Sequence, residues 1–101
     1  MTGGLAADSG DEKFASLVLR SRGRTGLTQR KFAARLGVYV RSVQAWEAGV
    51  SYPGSESLKA LIVGYLQAGG FEAGREASQA ELLWTAALRE SGRLLPGFDR
   101  D

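Results

Sequence analysis

Residues 29–36 and 40–48 each carry apolar side chains at helical spacing, and only Gly37, Val38 and Tyr39 lie between them. This junction limits the fold more than anything else in the chain. Phe32, Ala33 and Leu36 make the apolar stripe of the first segment; Val43 and Trp46 make that of the second. Each stripe has the period of a helix. A glycine right after the first stripe can take a positive φ without a Cβ clash, so the chain can turn at once. Ala33 is small enough for the next helix to come close, Val38 and Val43 fill the angle between the two, and Leu27 closes the far end. Two short helices on a tight glycine turn are the spacing of a helix-turn-helix.

The rest of the chain has the same period. Phe14, Leu17 and Val18 predict a preceding helix that ends near Gly23. Thr28 is the expected N-cap of the helix opening at Leu27-Thr28-Gln29, and Gly49 ends the helix from Val40 to Ala48. Val50 to Gly54 is a loop holding Pro53. Ser55 is the expected cap of a fourth helix with the stripe Leu58, Leu61, Ile62, Tyr65 and Leu66, closed by Gly69-Gly70. A fifth helix is expected from Arg75 to Ser91, with Ala80, Leu83, Trp84, Ala87 and Leu88 inward and Glu76, Glu81, Arg89 and Glu90 on its polar side; Pro96-Gly97 ends the structure. No segment alternates with period two, so the fold class is all-α: a compact five-helix domain with the helix-turn-helix at its second and third helices. The expected organisation is a disordered tail over 1–12, the helix-turn-helix domain over 13–68, an additional C-terminal helix packed on the domain over 69–95 and a tail or linker over 96–101.

Composition removes most chemistry. The 101 residues include no Cys and no His, which excludes disulfides, thiolate sites, the usual zinc ligands and the commonest general base. No catalytic residue, metal ligand or cofactor is expected, and the chain is read as not an enzyme. The Gly-rich run Arg22 to Gly26 lacks the Gly-Lys-Ser/Thr ending of a phosphate loop. Glu72, Glu76 and Glu81 read as a solvated helix face. No apolar run approaches the roughly 20 residues of a membrane span, and no signal peptide is apparent, so a cytoplasmic location is expected.

The charge is unevenly spread. The net +2 combines −3 over residues 1–12, +7 over 13–59 and −2 over 60–101. Between Arg20 and Trp46 there are seven bases and no acid. A basic block between acidic segments suits an anionic partner, although a solvated arginine-rich face would have the same composition.

The stretch GLTQRKFAARLGVYVRSVQAWEAGVSYP, Gly26 to Pro53, followed by SLKAL at 57–61, resembles the lambda-repressor/Cro-like, or XRE, helix-turn-helix domains. With the first helix included, the resemblance covers about residues 13–68. It implies a DNA-binding domain whose third helix enters the major groove while the second lies on phosphates. On that basis the DNA-facing positions are Thr28 and Gln29, then Tyr39, Val40, Arg41, Gln44 and Ala45, then the loop residues Val50, Ser51 and Tyr52. Arg41 can bond guanine O6 and N7 together or hold a phosphate, and Gln44 can serve adenine. Val40 and Ala45 can pack on a thymine methyl but donate no hydrogen bond. The resemblance pairs Arg22 with Glu47 as an internal ion pair. Trp46 and Trp84 read as core, with an interface as the other reading for Trp84.

The segment after residue 68 is similar to stretches that follow this motif at the N-terminus of large bacterial signalling NTPases. The partners implied are double-stranded DNA, a second copy of the chain as a homodimer, and further domains of a longer chain, with no membrane. The function expected is that of a bacterial transcriptional regulator, or of the DNA-binding module of a larger one. The alternative is a protein-interaction or self-association module that keeps the fold without specific DNA binding.

Overall fold

The structure is a computed structural model and describes residues 12–92. It contains five helices: α1 Phe14–Thr25, α2 Gln29–Leu36, α3 Val40–Ala48, α4 Ser55–Ala68 and α5 Glu76–Ser91. There is no strand among the described residues. Proposed tail residues 1–11 and the expected end at Pro96-Gly97 lie outside the described residues. None of the helices is long and apolar enough to cross a membrane.

Local chemistry sets most of the boundaries. The Thr28 hydroxyl accepts the Lys31 backbone N–H at 3.1 Å, which satisfies one free donor in the first turn of α2. Gly37 follows α2 at φ +76°, and its N–H reaches back to the Ala33 carbonyl at 2.9 Å. The chain therefore leaves α2 and enters α3 at Val40 with no slack, as the spacing required.

Three boundaries differ from the sequence reading. The first helix does not end near Gly23 but continues to Thr25, because Gly23 keeps a helical backbone and Gly26 takes the left-handed conformation at φ +76°. Ser55 does not cap α4: it is already helical, Gly54 occupies the cap position, and no side chain bonds there. Arg75 precedes α5 as its cap residue, so the helix starts at Glu76.

The core is a single cluster drawn from every helix. Phe14, Leu17 and Val18 of α1, Phe32 and Ala33 of α2, Val43 and Trp46 of α3, Leu58, Leu61 and Tyr65 of α4, and Leu83, Trp84, Ala86 and Ala87 of α5 are buried together with Phe71. The first helix packs on α3, α4 and α5, while α2 packs on α3 and α4. The Phe32 and Tyr65 rings stack at 5.0 Å, and Phe71 meets Tyr65 edge-on at 5.5 Å. Such offset and edge contacts favour aromatic pairs beyond simple burial. Gly64 brings α4 against α2: a Cβ there would lie 2.6 Å from Leu36 Cδ2 and 3.4 Å from the Phe32 ring.

Two apolar assignments change. Leu66 is exposed and Ile62 only half-buried, because the inward face of α4 runs through Leu58, Leu61, Gly64 and Tyr65. In α5, Ala86 is buried, whereas Ala80 and Leu88 are partly covered.

Candidate nucleic-acid interface

The site builds outward from one buried ion pair. Arg22 in α1 donates from Nε to Glu47 Oε2 at 2.6 Å and from Nη2 to Oε1 at 3.1 Å. Its Nη1 donates to the Leu27 carbonyl at 2.9 Å, just before α2. A guanidinium has a rigid fork of donors, so it can bind a carboxylate with two hydrogen bonds and still reach a third partner. The Glu47 side chain in α3 is only 6% exposed. The hydrogen bond to Glu47 raises the Arg22 pKa above its ordinary value, against the opposing effect of burial. The pair joins α1, the α2 entry and α3, and so fixes the angle of the helix-turn-helix.

Gln29 joins this pair. Its Nε2 donates to Glu47 Oε1 at 2.8 Å, so this side chain is turned inward against the ion pair. The motif placed Gln29 at the start of α2 but did not reveal this partner, which lies eighteen positions away. What remains outward at that end is Thr28 and the free backbone N–H groups of the first turn, which favour an anion.

On α3 the outward side chains are Arg41, Gln44 and Ala48, with Tyr39 just ahead at 79% exposure. Val40 and Ala45 are half-buried, and Val40 packs against the core. Val40 therefore has an internal use, and its apolar character does not need a surface partner. Trp46 is core, and so is Trp84, at 9% exposure; the interface reading of Trp84 is not supported, because its ring lies inside its own domain.

The loop after α3 divides. Val50 and Ser51 are exposed. Tyr52 was expected to face DNA, yet it is half-buried: its ring lies 5.6 Å from Phe14, and its hydroxyl donates to Glu90 Oε1 of α5 at 3.1 Å. Burial and the Glu90 carboxylate both raise the Tyr52 pKa, so the phenol stays protonated and committed as a donor. The sequence reading also put Glu90 on the polar side of α5; it sits instead under this loop.

The electrostatic outcome is simple. Between Lys13 and Ser55 the sequence has a single acid, Glu47, and that acid is buried with Arg22. Arg24 in α1, Arg30, Lys31 and Arg35 in α2, and Arg41 in α3 are all exposed. The surface of α2 and α3 is therefore cationic with no exposed carboxylate of its own.

No curated protein and no solved structure matches the chain. Residues 20–65, from within α1 to Tyr65 of α4, match the family model described as helix-turn-helix, and the stretch has that architecture on an all-α, lambda-repressor-like fold.

Proposed function

We propose that this domain binds double-stranded DNA, with α3 in the major groove and α2 against the phosphates. The observation that carries the reading is the cationic surface of α2 and α3, from which the one local carboxylate has been withdrawn. Lys and Arg on such a surface neutralise phosphates and release counterions. Arg41 and Gln44, outward on α3, are the residues with hydrogen bonds to offer base edges. Thr28 lies at the phosphate-facing end of α2, with Tyr39 and Ser51 flanking the reading helix. Gln29 and Tyr52 act differently: their polar groups are engaged inside the protein, so they hold the frame rather than the DNA. The inferred role is that of a bacterial transcriptional regulator, or of the DNA-binding module of a larger one.

Fluorescence polarisation on labelled duplex DNA between about 50 and 200 mM salt tests this, since each phosphate contact contributes about −0.9 to the log–log slope. Absence of binding at the lowest salt refutes it. Arg41→Ala should cost about 1–3 kcal/mol on a preferred sequence if Arg41 reads a guanine, and an equal loss on every sequence would assign it to phosphate.

A further inference from the structure

Glu90 lies in α5, outside the stretch that matches the helix-turn-helix model. Beside an ion pair with neighbouring Arg89 at 3.6 Å, its carboxylate has two hydrogen-bond partners far along the chain. Oε2 accepts the Phe14 backbone N–H at 2.7 Å, at the first residue of α1. Oε1 accepts the Tyr52 hydroxyl at 3.1 Å, in the loop that leaves α3. The Phe14 and Tyr52 rings meet at 5.6 Å beside it. Lys13, the cap residue of α1, makes no side-chain cap bond, so Glu90 caps that helix from another element. An anionic acceptor at a helix start is favourable both as a hydrogen-bond partner and toward the helix dipole.

The loop joins α3 to α4. It runs from Gly49 to Gly54, with Val50 at 77% exposure and Ser51 also exposed. Its anchors are the Gly49 and Val50 N–H groups to the Trp46 and Ala45 carbonyls at 3.2 and 2.9 Å, buried Pro53, the Tyr52 ring against Phe14, and the Tyr52–Glu90 bond. We propose that Glu90 is a positioning residue for DNA binding: through Tyr52 it sets where the exposed Val50-Ser51 backbone stands beside α3, making α5 part of the DNA-binding apparatus. This rests on the DNA-binding reading above.

The test separates positioning from plain stability. A variant that only unfolds part of the population lowers apparent affinity by the folded fraction, which circular dichroism reads at each salt concentration. The loop from Gly49 to Gly54 carries no cation, so a variant that releases its backbone contact to a phosphate loses affinity at an unchanged salt slope. Tyr52→Phe removes the hydroxyl alone and leaves the Glu90 cap on Phe14 in place. Glu90→Ala removes both. The full chain and both variants are compared by circular dichroism and by polarisation on one duplex across the salt range. Both variants should fold fully and keep the wild-type salt slope, yet bind several-fold more weakly than their folded fractions account for. Tyr52→Phe folding fully and binding with the wild-type affinity overturns the inference even if Glu90→Ala fails to fold. A wild-type chain that does not bind DNA overturns the DNA reading itself, an outcome visible before either variant is measured.

Discussion

Replacing Arg22 by Ala should be among the most damaging single changes in this fold. The substitution leaves the Glu47 carboxylate, 6% exposed, with Gln29 as its remaining partner at 2.8 Å. It also strips the Leu27 carbonyl of its donor. Removing one member of a buried pair costs roughly 3–5 kcal/mol, because the other charge stays behind without compensation. Arg22 itself retains 17% side-chain exposure, so water screens part of the interaction, and the lower end of that range, about 3 kcal/mol, applies. For a domain of this size the loss corresponds to a fall in Tm of about 12–24 °C. Urea denaturation followed by circular dichroism reads the change as a lower midpoint at unchanged m. The double substitution Arg22→Met, Glu47→Leu removes both charges and should recover much of the loss, giving a coupling energy of about 2 kcal/mol or more. A cost below about 1 kcal/mol for Arg22→Ala would mean the pair behaves like an exposed surface bridge, and the account of how the helix-turn-helix angle is held would fail.

Other outcomes follow from single contacts. Burial raises the Tyr65 pKa well above its ordinary value of 10.0. The folded state therefore keeps the phenol neutral while the unfolded chain ionises, so stability is fully present below pH 10 and declines above it, by about 1.4 kcal/mol per pH unit from this residue; Tyr65→Phe should flatten that decline in alkaline denaturation series. Gly64→Val should destabilise by roughly 1–3 kcal/mol in urea titrations, since its Cβ would already lie 2.6 Å from Leu36 and 3.4 Å from Phe32. Thr28→Ala should cost about 0.5–2 kcal/mol by the same measurement, and Thr28→Ser should restore most of it.

What could be read from the sequence was what short-range chemistry decides. Thr28, Gly37 and Gly49 set the limits of α2 and α3 because a cap or a left-handed residue acts on its own turn of helix. Gly23 and Ser55 misled because each sat one turn or one residue away from a glycine that took the role, Gly26 and Gly54, and composition does not rank neighbouring glycines. Leu66 was misassigned for a geometric reason: in a helix with apolar residues on more than one side, the neighbours choose the buried face. In the candidate site, the exposure of Arg41 and Gln44 follows from helix period, whereas Gln29 and Tyr52 find their partners 18 and 38 positions away. Choices over such distances belong to packing, and no local pattern encodes them.

The bond from the Phe14 N–H to Glu90 also has a topological consequence. It places the start of the first helix within hydrogen-bond reach of the end of the last, so the chain leaves the domain beside the point where it entered. A domain built this way can be spliced into a loop of a host protein, or have residues 12 and 92 joined by a short linker and be reopened at exposed Gly74, without dragging the helices apart. The geometry makes the fold a self-contained plug whose two leads emerge from one socket.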